Sequence, residues 1–247
     1  MPISRGVTAA LAALTGAGFL AAAPAQAVVG GAEAQASAYP WLGAIGTPWY
    51  ATRPGGQFCA GSLVAPDRVV TAAHCGALAK VLPGTTVTFG RTDAGDSGGI
   101  TVGIKDIRIH PDFRVSTFGD TLAFHHDVAV LTLADPVDLP TVDIGAPHGD
   151  SATVAGWGVT SDEDDSNSHL RAADVPLLPD AACAAYGADF DPGEALCAGS
   201  TDADAANFDS GGPLLVDGKL AGIVSWGKGS AEPGYPGLYA RVPALDF

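Results

Sequence analysis

Basic residues are scarce in this chain of 247: 12 lysines and arginines stand against 27 aspartates and glutamates, a formal net charge of −15. Nucleic-acid binding depends on neutralising phosphates with cations, and an anionic bilayer repels an acidic surface in the same way. Neither is an expected partner. Cysteine is sparse too. Cys59, Cys75, Cys183 and Cys197 are the only four, and none stands in a C-x-x-C pair of the kind that holds zinc. An even number of thiols in an exported chain favours disulfides over metal, and four thiols allow three pairings that spacing alone does not separate. No metal or other cofactor is expected.

Long apolar runs are missing apart from one at the start. Residues 1–27, "MPISRGVTAALAALTGAGFLAAAPAQA", carry a single basic residue, Arg5, then an apolar stretch and a small-residue ending of the A-x-A kind. This reads as a secretory signal peptide cleaved after Ala27, which makes residues 28–247 a secreted, extracellular chain. A membrane anchor is the other reading. The run is near the lower limit for a span, and no stop-transfer charges follow it.

Helical signals are few as well, with "PDAACAAY" (Pro179 to Tyr186) the one segment of that character. Against it stand 33 glycines, 18 prolines and many short apolar runs: "RVVTAAHC", "TTVTFG", "ITVGIKDIRIHP", "DVAVLTL", "ATVAGWG", "KLAGIVSWG" and "GLYARV". Short strands broken by turn residues predict an all-β sandwich or barrel. The Pro- and Gly-rich stretch from Asp138 to Asp150 is the candidate connection between two halves. The acidic run "SDEDDSNS" (Ser161 to Ser168) matches no EF-hand spacing and reads as a solvated loop. His125 and His126 are adjacent; neighbours on a strand face opposite ways, so they make a poor chelating pair and are assigned to structure.

Three fragments carry chemistry: "TAAHC" with His74, "HHDVAVL" with Asp127 and "DSGGP" with Ser210. Serine is a poor nucleophile until a base takes its proton. Histidine has a suitable pKa for that, and a buried carboxylate can hold its tautomer and stabilise the imidazolium. In this order, and with "VVGG" at Val28, "GWG" at Gly156, "SWG" at Ser225 and "PGLYARV" near the end, the fragments resemble the chymotrypsin/trypsin family of serine proteases. The resemblance covers nearly all of residues 28–247.

That resemblance implies two packed six-stranded antiparallel β-barrels, about 28–140 and about 150–247, with the active site in the cleft between them. His74 would be general base and acid, Asp127 its orienting carboxylate and Ser210 the nucleophile. Ser225 would lie beside the triad and, with Gly227, pair with an extended substrate. Cys59 would bridge to Cys75 and Cys183 to Cys197, while a further family bridge is absent at both its positions, Ala206 and Ser230. Asp204 resembles the acid of a trypsin pocket, with Gly227 and Gly237 as its open walls, which implies cleavage after Arg or Lys. Asp202, two residues away, is the alternative pocket acid. A new amino terminus at Val28 would pair with Asp209, and signal removal itself would create it. Partners would be peptide or protein substrates and protein protease inhibitors, and the chain would act as a monomer.

Three departures qualify the resemblance. The oxyanion hole would use the N–H groups of Phe208 and Ser210, but the family carries glycine where this chain has Phe208. If the turn needs glycine-like torsions, a Cβ there costs on the order of 1–3 kcal/mol, and a flipped peptide would aim a carbonyl at the oxyanion. The ring would project toward the leaving-group side. Two readings therefore stand: an active secreted serine endopeptidase, or a catalytically impaired homologue serving as a binding or decoy module. Second, the family's C-terminal helix has no counterpart before Phe247. Third, Arg91 falls where an acidic ligand of the calcium loop of some relatives is expected.

Overall fold

The structure, a computed structural model, describes Met1, residues 28–160 and residues 166–242. Residues 2–27, which hold nearly all of the segment read as a signal peptide, most of the acidic run and the last five residues lie outside the described residues.

In chain order the described strands are β1 (Ala32–Glu33), β2 (Leu42–Gly46), β3 (Gln57–Ala65), β4 (Arg68–Thr71), β5 (Thr86–Phe89), β6 (Ile100–Ile109), β7 (Arg114–Phe118), β8 (Thr121–His125), β9 (Ala129–Leu133), β10 (Ser151–Gly156), β11 (Arg171–Leu178), β12 (Ala195–Ala198), β13 (Pro213–Val216), β14 (Lys219–Trp226) and β15 (Gly237–Arg241). One barrel closes in the order β2-β3-β4-β9-β6-β5. The other runs β11-β10-β13-β14-β15-β12 and closes through a second β11–β12 pairing, with β1 added beside β11. Within each barrel, closure pairs the strand edges that an open sheet would leave bare. The expected pair of six-stranded antiparallel barrels is what the chain forms.

The apolar core runs across the junction. Ile45, Leu63, Val69 and Leu131 of the first barrel share one cluster with Ala155, Trp157, Leu220 and Ile223 of the second. Two disulfides pair as the resemblance implied: Cys59–Cys75 ties β3 to the segment after β4, and Cys183–Cys197 ties a 3-10 segment (Asp180–Asp189) to β12. Among the described residues no helix is long and apolar enough to cross a membrane.

One element escapes the strand pattern. "RVVTAAHC" reads as continuous β, but the chain leaves β4 at Thr71 and turns into helix α1 (Ala73–Val81). Alanine-rich sequence favours a helix. No side chain of the preceding Ala72 caps it. Its first turn is held instead from a distance, by an Asp127 oxygen that accepts the His74 N–H at 2.9 Å.

His125 and His126 also depart from expectation. β8 ends at His125, and His126 takes a left-handed backbone with φ 49°, so the two rings do not diverge. Both reach Glu194, His125 Nδ1 at 2.8 Å and His126 Nε2 at 3.0 Å. Ser116 donates to Asp189 at 2.8 Å and meets His125 Nε2 at 2.9 Å. The network centres on the buried His125 and joins the β7–β8 hairpin to the entry of β12 in the second barrel. Glu194→Ala should therefore lower stability by roughly 1–3 kcal/mol, the cost of leaving the buried His125 donor without its acceptor. Urea unfolding checks it, and an unchanged midpoint would remove the network from the forces joining the barrels.

Candidate functional site

His74 is the second residue of α1, and its neighbour Cys75 is bridged to β3, so the ring is anchored on both sides of its backbone. Asp127 lies between β8 and β9 and is 1% exposed. Its carboxylate accepts the His74 ring Nδ1–H at 2.8 Å and the Ser225 hydroxyl at 2.6 Å, besides the His74 backbone N–H. A donating Nδ1–H leaves Nε2 as the lone-pair nitrogen of the neutral ring, the form a general base needs. Phe124 stacks on the ring at 4.5 Å. Burial alone would raise the Asp127 carboxyl; the charge of His74 and the hydrogen bonds from His74 and Ser225 outweigh it and hold the group below the ordinary aspartate value. It is an anion in place.

Ser210 stands in the loop between β12 and β13. Its carbonyl accepts the Ala60 N–H at 2.8 Å, a direct tie to the first barrel. Gly211 follows with φ 79°, and a Cβ there would lie 2.1 Å from Thr71 Oγ1 and 2.3 Å from the Ala60 carbonyl, so only glycine lets the loop approach β3 and β4 this closely. Among the described residues the Ser210 hydroxyl makes no hydrogen bond, to His74 or otherwise. In ligand-free sites such bonds are often long and tighten only with substrate. The structure thus joins His74, Asp127 and Ser225 directly. It puts Ser210 on the wall of a cavity that Ser225 also lines.

That cavity has a volume of ≈ 300 Å³ and carries Asp204, Gly227 and Gly237 on its lining, together with Ala206 and Ser230. Asp204 is 1% exposed and accepts the Ala205 N–H at 2.8 Å and the Tyr239 hydroxyl at 3.2 Å. A Cβ at position 237 would come within 2.6 Å of its Oδ1. Burial pushes the Asp204 carboxyl up to about 7 against the pull of these hydrogen bonds. Asp202 is exposed and not on the lining.

The Phe208 loop adopts the glycine-like conformation, with φ 72°. The Asn207 carbonyl accepts the Val159 N–H at 2.9 Å, and no peptide in the described chain is cis. In a planar trans peptide the N–H points opposite to the C=O, so the Phe208 N–H is turned away from Val159. Among the described residues neither it nor the Ser210 N–H is taken by a backbone acceptor. The Phe208 carbonyl accepts from Gln57 Nε2 at 2.8 Å. The ring lies under the Arg53 guanidinium at 4.4 Å and packs edge-on against Tyr50 at 6.3 Å.

Val28 is fully buried in the second-barrel core. In the uncut chain it is an internal residue with no α-ammonium, and Val28 and Asp209 share no hydrogen bond among the described residues. Asp209 instead accepts the N–H groups of Gly158 at 2.7 Å and Ala206 at 3.0 Å. Burial pushes its carboxyl up to about 7, with those bonds and the Arg53 charge pulling the other way. Arg91, at the position where some relatives would carry an acidic calcium ligand, donates to the carbonyls of Gly98 at 2.7 Å and Ala94 at 3.3 Å. Sequence reasoning missed Tyr50, Arg53, Gln57 and Thr121, because none belongs to a contiguous motif.

The family model described as Trypsin matches residues 28–247. A trypsin from Saccharopolyspora erythraea is 38% identical over 88% of this chain and 94% of its own length. Trypsin alpha-4 from Lucilia cuprina is 33% identical over 88% of this chain and 84% of its own. A vitellin-degrading protease from Bombyx mori is 37% identical over 77% and 74%. With these likenesses on top of the paired barrels, the two disulfides and the His74–Asp127–Ser225 network, the chain belongs to the trypsin family of serine endopeptidases.

Proposed function

We propose that this protein is a secreted endopeptidase that cleaves after arginine or lysine through an acyl-enzyme. The observation that carries the specificity is Asp204, buried on the wall of the cavity that Ser210 lines. A guanidinium or ammonium entering there meets a desolvated carboxyl, where charge pairing is selective. His74 Nε2 takes the Ser210 proton as the hydroxyl attacks the scissile carbonyl, and Asp127 stabilises the resulting imidazolium. The N–H groups of Phe208 and Ser210 receive the developing oxyanion, and His74 returns the proton to the leaving amine. Water repeats the sequence on the acyl-enzyme.

Cleavage after Ala27 would give Val28 a free α-ammonium. Asp209 is the buried acid that gains most from such a partner, since an uncompensated buried carboxylate is costly. N-terminal sequencing of the secreted enzyme should therefore begin at Val28. A longer mature end would separate activation from export.

Protein beginning at Val28 should hydrolyse short chromogenic Arg and Lys substrates in preference to Phe substrates. Ser210→Ala should lose turnover by a factor on the order of 10⁶. Turnover of Phe substrates alone would keep the protease and discard Asp204 as its pocket acid. No turnover from folded protein would favour the binding or decoy module, the reading that rests on Phe208.

The pocket acid also predicts a pH dependence. Below about 7 the Asp204 carboxyl holds a proton that a cationic ligand must displace. Benzamidine affinity should then fall about tenfold per pH unit on going below about 7 and level off above it. In Asp204→Asn the affinity should be low and flat. An inhibition constant that does not move with acidification in the parent enzyme would contradict the assignment.

A further inference from the structure

Phe208 breaks the rule that left-handed backbone belongs to glycine, and it does so in the loop that aims the oxyanion donors. A side chain persists there only when its surroundings over-determine it. The surroundings come from the other barrel. Tyr50 and Arg53 lie in the connection between β2 and β3, and Gln57 is the first residue of β3.

Arg53 is the common element. Its guanidinium covers the Phe208 ring at 4.4 Å, and its Nη2 donates to the Trp157 carbonyl at 2.7 Å and to Gln57 Oε1 at 3.4 Å. Gln57 in turn donates to the Phe208 carbonyl at 2.8 Å. Trp157 stands two residues before Val159, whose N–H holds the Asn207 carbonyl. One cation therefore braces both supports of the Asn207–Phe208 peptide: the ring and carbonyl on one side, the 157–159 segment on the other. Arg53 is only 4% exposed, and burying a guanidinium is costly. An apolar residue would fill the same space against Phe208 and Tyr50 without that cost, but it could not hold the Trp157 carbonyl or the Gln57 amide.

We propose that Arg53 is a positioning residue for the oxyanion loop, acting through Phe208 to keep the Phe208 N–H turned into the cleft. This rests on the endopeptidase reading above. Without Arg53 the left-handed phenylalanine relaxes toward negative φ and its N–H leaves the place where the oxyanion forms. With glycine at 208 that conformation needs no brace.

The test is a double-mutant cycle on Arg53→Met and Phe208→Gly, with Arg53→Lys as the conservative variant. Arg53→Met should lower kcat about tenfold, short of the roughly 10²–10³ that follows loss of a whole donor, with KM little changed. A peptidyl argininal, whose tetrahedral adduct needs the oxyanion donors, should bind weaker by the same factor. Benzamidine, which needs only the pocket, should bind unchanged. Arg53→Lys should recover part of kcat, and in the Phe208→Gly background Arg53→Met should have less than about a twofold effect. Equal losses in both backgrounds, or a matching loss of benzamidine affinity, would overturn the proposal and leave Arg53 a structural residue. If the parent enzyme turns over no substrate, the endopeptidase reading fails by itself, and thermal unfolding of the same four proteins still reads the Arg53–Phe208 coupling. Additive midpoints there would overturn the proposal. Should Arg53→Met not fold, Arg53→Lys completes the same cycle.

Discussion

The Asp127 carboxylate takes three hydrogen bonds that belong to three levels of organisation. The His74 backbone N–H secures the start of α1, the His74 ring fixes a tautomer, and the Ser225 hydroxyl ties the acid to β14 of the opposite barrel. A buried carboxylate tolerates its desolvation only with such partners. Helix, base and barrel junction are therefore mutually dependent. Moving any one of them would leave a buried charge short of a hydrogen-bond partner.

The two residues before Asp127 work toward the same end. His125 and His126 reach Glu194 beside β12, so three consecutive residues, His125 to Asp127, all contact the second barrel. An extended chain would throw alternate side chains to opposite faces. The left-handed turn at His126 cancels that alternation and lets the acid arrive on the same side as the histidines. The buried acids then divide by partner. Asp127, which has a histidine, is held low, whereas Asp204 and Asp209 are both pushed up to about 7 by burial. Comparable burial thus lifts the two acids that lack a cationic hydrogen-bond partner and is overcome at the one that has a histidine.

Much of this was legible in the sequence because it sits in short contiguous motifs. The residue types around His74, Asp127 and Ser210 and the alternation of brief strands with Gly and Pro survive as local patterns, while the cysteine pairing came only through the family resemblance. What was not legible depends on contacts between distant segments. The helical turn at Ala73 is secured by a carboxylate 53 residues downstream from His74, so no capping residue announces it. The convergence of His125 and His126 turns on one backbone angle. The support of Phe208 comes from Gln57, 151 residues upstream, and from an arginine in an undistinguished loop.

Phe208 shows how a local rule can be broken where contacts from elsewhere in the fold support the exception. Glycine would satisfy the loop by itself, because nothing opposes its positive φ, but it would also leave the loop free to leave that conformation. Phenylalanine cannot sit there unaided, yet its ring and carbonyl give Arg53, Tyr50 and Gln57 something to hold. The orientation of a peptide in the second barrel is thereby made a property of the junction with the first. The same junction carries Asp127 to Ser225 and the Ala60 N–H to the Ser210 carbonyl. Asp127, Ser210 and the Asn207–Phe208 peptide are then located by contacts that exist only when both barrels are folded and docked, so assembly of the cleft depends on the docking of the two barrels.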